Sequence, residues 1–285
     1  MCYSAGSINL SNIIMNILED LFSLKNEVVI VFGGGGQIGF EASKAICQAG
    51  AKVYIADYDK EQTLEKIKKF NSDTYNICFQ HVDVSNKNSV SNVYKEVNDA
   101  EGKITKIVNS FHYKGDSKKL RLDSDFFTDL ENYDLETWNR VHDINLTGTF
   151  ITCQQSIPYF KKNNSGAILN ISSTYGNISP NKNIYKNTKM SSPVAYASSK
   201  AGIINLSRYF ATYLAEFNIR VNVLSPGGVQ NDQDKGFIKE YSKLTPLRRM
   251  ALPSDYLASI IFMLSNGSSY LTGSNVIVDG GWTAW

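Results

Sequence analysis

Val28-Val29-Ile30-Val31-Phe32-Gly33-Gly34-Gly35-Gly36-Gln37-Ile38-Gly39 decides how this 285-residue chain is read. A β-branched apolar run ends in four successive glycines, and Phe40-Glu41-Ala42-Ser43-Lys44-Ala45-Ile46 follows with a helix-like pattern. A strand, a turn made of backbone and a helix N-terminus are expected in direct succession. Glycines let main-chain N–H groups approach a diphosphate closely, and the positive end of the helix dipole favours the charge placed there. Gly34, Gly36 and Gly39 fit G-x-G-x-x-G, a pattern that gains weight when an acidic residue ends the next strand. Lys52-Val53-Tyr54-Ile55-Ala56-Asp57 supplies one, with Asp57 eighteen residues beyond Gly39.

Beyond this unit the apolar runs keep alternating between strand and helix character. Strands are expected at 53–56, 77–84, 104–108 and 166–171, with helices at 60–70, 89–101, 135–159 and 196–214. The helix over 135–159 is expected to be interrupted only near Gly148. Such alternation implies βαβ crossovers, hence an α/β fold with a doubly wound, Rossmann-like parallel sheet in a single domain over 21–285. Ahead of it, Ile13, Ile14, Ile17, Leu18, Leu21 and Phe22 recur at helical spacing, so 1–20 reads as an N-terminal helical extension. Glu19 and Asp20 interrupt it and no basic leader precedes it, which fits neither a signal peptide nor a membrane span.

Composition narrows the function classes. With 29 basic and 27 acidic residues, the chain lacks the charge excess of a dedicated nucleic-acid binder. Cys2, Cys47, Cys78 and Cys153 form no C-x-x-C pair and suit a reduced, cytoplasmic protein. His81, His112 and His142 belong to no metal-ligand spacing, so no catalytic metal is expected.

Further along, Asn170-Ile171-Ser172-Ser173, then Tyr196-Ala197-Ser198-Ser199-Lys200, then Arg220-Val221-Asn222-Val223-Leu224-Ser225-Pro226-Gly227 occur in that order, and Asp279-Gly280-Gly281 lies near the end. In these motifs residues 24–285 resemble the short-chain dehydrogenase/reductase family. Tyr196 and Lys200 stand four apart on an expected helix and so share a face. A phenol is a poor base at neutral pH unless a nearby cation stabilises its anion. The resemblance implies Tyr196 as acid/base, Lys200 as its tuning cation and ribose ligand, Ser173 on the reacting oxygen, and Asn145 supporting a proton-relay water. Tyr185-Lys186-Asn187-Thr188-Lys189 repeats the Y-x-x-x-K pattern only 12 residues after Ser173, against 23 for Tyr196. Its Asn- and Lys-rich surroundings read as loop, so Tyr196 is preferred.

For the cofactor, the resemblance implies contacts from Gly33, Gly36, Gln37, Ile38, Gly39, Asp57, Asp83, Val84, Asn109, Pro226, Gly227 and Val229, besides Tyr196 and Lys200. Asp57 favours NAD, because a carboxylate accepts from ribose hydroxyls and repels a 2′-phosphate. Neither Lys52 nor Lys60 replaces it. Three departures from the family pattern stand out: Phe32 for a threonine, Gln37 for a glycine, and Ser110-Phe111-His112 for Asn-Ala-Gly. Gly33, Gly36 and Gly39 instead follow G-x-x-G-x-x-G, so Gly36 is expected to make the closest approach to the diphosphate.

The long stretches 110–134 and 175–194, with Pro246-Leu247-x-Arg249-Met250 and the Trp282/Trp285 tail, resemble flagellin-modification oxidoreductases tied to nonulosonic (legionaminic-type) sugar synthesis. The implied substrate is a small sugar or sugar-phosphate, with Lys118, Lys119, Arg121, Lys182, Lys186 and Lys189 as candidate phosphate partners. A 3-oxoacyl-thioester reductase is the alternative enzyme, and an NAD(H)-binding sensor or scaffold the non-enzyme alternative. The family's habit of packing long helices across two-fold axes implies a homodimer or homotetramer; no nucleic-acid or membrane partner is expected.

Overall fold

The computed structural model describes residues 17–113, 115, 127–185 and 193–285. Seven parallel strands form one sheet in the order β3-β2-β1-β4-β5-β6-β7. They are β1 (Val28–Phe32), β2 (Lys52–Asp57), β3 (Ile77–His81), β4 (Lys106–Asn109), β5 (Gly166–Ile171), β6 (Ile219–Pro226) and β7 (Asn275–Val278). Eight α-helices connect them: α1 (Gln37–Gln48), α2 (Lys60–Phe70), α3 (Lys87–Glu101), α4 (Leu135–His142), α5 (Gly148–Asn163), α6 (Val194–Leu214), α7 (Lys235–Leu244) and α8 (Leu257–Leu264). This is the single α/β domain anticipated from the strand–helix alternation. Of the expected N-terminal extension, residues 1–16 lie outside the described residues, and 17–22 are helical.

The apolar run of β1 is continuous because both faces of the strand are covered. Val28, Ile30 and Phe32 pack with Val90, Val93, Tyr94 and Val97 of α3 and with residues of α5 and α6. Val29 and Val31 face the other way, against Ala42 and Ile46 of α1 and Ile260, Met263 and Leu264 of α8. β1 pairs with β2 on one side and β4 on the other, so the chain direction around the sheet reverses there. Ligands of open α/β sheets bind in the crevice that this reversal opens at the carboxyl ends of the strands.

Helix starts follow their capping residues. The side chains of Asp59, Asn86 and Asp134 accept from first-turn N–H groups of α2, α3 and α4. The interruption expected near Gly148 in the helix over 135–159 lies directly before it, where residues Asp143–Thr147 form a wider π-helical turn between α4 and α5. Asn145 sits in that turn, fully buried. One element departs from expectation: strand β3 stops earlier, at His81, where Asp83 turns the chain by accepting from the Ser85 N–H and hydroxyl.

Candidate active site

The turn after β1 is built for close approach. Gly33 has φ +73°, and the Phe111 backbone lies where its Cβ would be. Gly36 is the N-cap of α1 and offers no side-chain cap to the first-turn N–H groups. A Cβ on Gly36 would meet only the Gly33 carbonyl oxygen, at 3.2 Å, and would otherwise project into open space. Gly33, Gly36, Gln37 and Ile38 line the cleft, whereas Gly39 is buried beneath the turn, its Cα facing the Gly33 carbonyl. A helix N-terminus whose donors face a cleft fits a diphosphate.

Asp57 closes the turn from below. Its Oδ2 accepts the Gly35 N–H at 2.9 Å and its Oδ1 the Asp59 N–H at 3.0 Å. Lys66, from α2, donates through Nζ to the Gly35 carbonyl at 2.6 Å, so one residue of the glycine turn is held at both its donor and its acceptor. Lys66, which the sequence does not single out beside Lys52 and Lys60, is the cation that reaches this turn. The signal was there: Thr63 and Lys66 are three apart on the helix that Asp59 caps, and that face turns back toward the glycines. Gln37 fills the family glycine position by reaching sideways, its Nε2 donating to the Gln230 carbonyl at 2.7 Å.

At the other end of the cleft, β5 and α6 position the proton-transfer groups. Asn109 donates to the Asn170 side chain at 2.7 Å, and Asn170 donates to Ser207 of α6 at 2.8 Å. The Ser172 hydroxyl donates to the Lys200 carbonyl at 2.8 Å, which fixes α6 against the end of β5. Tyr196 and Lys200 both face the cleft, one turn apart. Burial pushes the Tyr196 phenol up, and a hydrogen bond with the Ser173 side chain opposes that. Burial also lowers the Lys200 ammonium to about 7. Its Nζ donates to the Ile171 carbonyl at 2.8 Å and lies 5.6 Å from the centre of the Tyr196 ring. Of the two effects on the Tyr196 phenol, burial is the larger.

Of the expected site residues, Gly39, Asn109 and Asn145 do not reach the cleft wall. The Asn109 amide ties β4 to β5 through the Asn170 side chain. Asn145 lies behind the wall, accepting the Tyr113 N–H at 2.8 Å and donating to the Ser199 hydroxyl at 3.0 Å. Asp83, Val84, Pro226, Gly227 and Val229 all line the cleft. Lys118, Lys119, Arg121, Lys186 and Lys189 lie outside the described residues. Trp282 is buried against Tyr241, with ring centroids 4.2 Å apart, while Trp285 is 74% exposed in the single chain. Among the described residues no helix is long and apolar enough to cross a membrane.

The cleft holds about 2410 Å³, well above the roughly 300–1,000 Å³ of a pocket for one small ligand. It therefore has room for a dinucleotide and a second molecule side by side. The glycine turn at one end and a partly buried phenol beside a buried amine at the other are the working parts of a dinucleotide-dependent oxidoreductase.

Comparison with known proteins makes the class specific. A family model described as enoyl-(acyl carrier protein) reductase matches residues 35–283. A post-translational flagellin modification protein A of Campylobacter coli is 30% identical over 91% of this chain and 99% of its own. A sorbose reductase of Candida albicans is 32% identical (94% and 90%), and a 3-oxoacyl-[acyl-carrier-protein] reductase of Chlamydia muridarum 33% identical (90% and 98%). A short-chain dehydrogenase of Leptospira borgpetersenii, solved with bound NAD+, superposes with a TM-score of 0.80 at 31% identity, covering 93% of this chain and 95% of that one. The chain belongs to the short-chain dehydrogenase/reductase family, oxidoreductases that act on CH–OH groups with a nicotinamide cofactor.

Proposed function

We propose that this chain interconverts a secondary alcohol and a ketone with NAD(H), on a sugar or sugar-phosphate of a cell-surface glycan pathway such as flagellin modification. The observation that carries the chemistry is the Tyr196–Ser173–Lys200 group at the end of β5, in the same cleft as the glycine turn. The nicotinamide supplies or takes up the hydride when bound. Gly36, Gln37 and Ile38 would hold its diphosphate, Asp57 the adenosine ribose, Asp83 and Val84 the adenine, and Val229 the carboxamide end.

Proton movement falls to the chain's own side chains. The Tyr196 hydroxyl gives its proton to the substrate oxygen in reduction and takes it back in oxidation. Ser173 donates a hydrogen bond to that same oxygen. Lys200 spends one of its three donors on the Ile171 carbonyl and keeps two for the ribose hydroxyls. Protonated, it also stabilises the Tyr196 phenolate. Asn145 acts from behind the wall, holding the Tyr113 backbone and Ser199.

The carboxylate of Asp57 supports NAD over NADP, and the NAD+-bound relative from Leptospira supports the same choice. The sorbose reductase and the flagellin modification protein support a sugar-like substrate. The acyl-carrier-protein reductase likeness supports a 3-oxoacyl thioester as the second reading. Turnover of sugar ketones or alcohols with NAD(H), lost in Tyr196→Phe, is the expected result. Unchanged turnover in that variant would sink the mechanism, and a tenfold preference for NADPH with 3-oxoacyl thioesters would put the second reading first. We also infer a cytoplasmic homodimer or homotetramer, to be checked by light scattering.

A further inference from the structure

The substrate half of the cleft contains a second tyrosine pair that the reaction does not use. Tyr175 stands two residues after Ser173, its N–H donated to the Ser173 hydroxyl at 3.1 Å. Its own hydroxyl lies 3.1 Å from that of Tyr185, and both line the cleft with Tyr196. Tyr185 belongs to the extra chain between Ser173 and Tyr196, where a short 3-10 turn, Lys182–Tyr185, buries it at 8% exposure.

Its ring is fixed from behind. Tyr185 packs on Phe237 of α7 (centroids 5.8 Å), Phe237 on Tyr241 (6.1 Å), and Tyr241 on Trp282 (4.2 Å). The Tyr241 hydroxyl accepts the Gly228 N–H at 2.6 Å, which anchors this ladder to the loop after β6. Burial pushes Tyr185 up to about 12 and Tyr175 well above its ordinary value, so both remain protonated hydroxyls at any working pH. A phenol is at once a donor and an acceptor, the combination that a substrate hydroxyl satisfies and a methylene does not.

We propose that Tyr185, set by Tyr175 and the aromatic ladder, is a specificity-determining residue that hydrogen-bonds a hydroxyl next to the reacting carbon, so that the substrate is an α-hydroxy ketone or its vicinal diol. This rests on the dehydrogenase reading above and narrows it to polyhydroxylated substrates. A substrate hydroxyl that meets these phenols adds a hydrogen bond that an analogue with a methylene in its place cannot make.

The test compares 2-hydroxycyclohexanone with cyclohexanone, which differ only in that hydroxyl, in the intact protein with NADH. Wild type is expected to favour the hydroxy ketone in kcat/KM by about tenfold, the worth of one hydrogen bond. In Tyr185→Phe the preference should fall to within twofold of unity, through a higher KM for the hydroxy ketone, while cyclohexanone turnover changes less than threefold. Tyr175→Phe should move the ratio the same way. A structural role alone would slow both ketones equally and leave the ratio intact, which overturns the proposal. So does a wild-type ratio near one.

Binding of trans-1,2-cyclohexanediol and cyclohexanol to the NADH complex, by calorimetry, gives the same comparison without turnover. If wild type reduces neither ketone but prefers the diol, and Tyr185→Phe abolishes that preference, the dehydrogenase reading fails while the assignment of Tyr185 stands. Equal affinities in wild type overturn the assignment.

Discussion

Lys200 makes a prediction whose sign and size both follow from its position. The ammonium is 2% exposed, and burial alone lowers it from 10.5 to about 7. Between those two values the unfolded chain binds one proton more than the folded one, so folding stability rises as pH rises through that window. The slope approaches about 1.4 kcal/mol per pH unit. Because the transition starts at half-charge near pH 7, the integrated gain from pH 7 to pH 9 is about 2 kcal/mol. Lys200→Met removes the titrating group and keeps much of the volume, so it should lose this gain. Urea denaturation of the cofactor-free protein at pH 7, 8 and 9 measures it, provided the m-value stays constant. Subtracting the variant from wild type cancels Cys47 and Cys153, whose thiols burial pushes up in both proteins. Wild type should gain about 2 kcal/mol over the variant across the series, or roughly 4–8 °C in Tm. Parallel pH curves would refute the reasoning, since they would mean that the ammonium is solvated despite its burial.

Four further outcomes are expected. Gly36→Ala should fold normally, because its Cβ meets only one oxygen at 3.2 Å, yet bind NADH at least tenfold more weakly by fluorescence titration; Gly39→Ala should instead lower Tm, because the added Cβ runs into the Gly33 carbonyl. Asp57→Asn should keep the Gly35 hydrogen bond but lower the NADH-to-NADPH ratio of kcat/KM by about tenfold or more, the worth of charge-assisted bonds to a ribose diol. Asn145→Ala removes the hydrogen bonds to the Tyr113 N–H and the Ser199 hydroxyl and should cost about 2 kcal/mol of stability by urea denaturation, with kcat reduced and KM little changed.

Much of the architecture was legible because it rests on local patterns. Val28–Phe32 reads as a doubly covered strand from its unbroken apolar run, and Asp57 is found by counting from Gly39. Tyr196 and Lys200 share a helix face by their spacing alone. What escaped depends on long-range packing. Lys66 matters because α2 folds back beneath the glycine turn, a contact 31 residues apart in sequence. Tyr185 looked like loop since its neighbours are polar; its burial comes from Phe237, far along the chain. The direction of the Lys200 amine toward the Ile171 carbonyl follows from the depth of the cleft, which no periodicity encodes. A break near Gly148 was legible, but not the width of the turn at Asp143–Thr147, because its residues are compatible with an ordinary helix.

That turn has a consequence for what insertions and deletions the chain tolerates. A regular α-helix advances about 100° per residue, whereas a π-helical turn spreads an extra residue over nearly the same rotation and rise. The extra residue is therefore absorbed within Asp143–Thr147, and α4 and α5 keep the relative phase of one continuous helix. Deleting one residue between Asp143 and Thr147 should let α4 and α5 join as a regular rod with both flanks still facing the core, while Asn145 is re-aimed away from Tyr113 and Ser199. Inserting a residue there would instead rotate one flank by about 100° and turn Cys153 and Phe160 out of the core. Deletion should cost the site more than the fold, and insertion the fold itself.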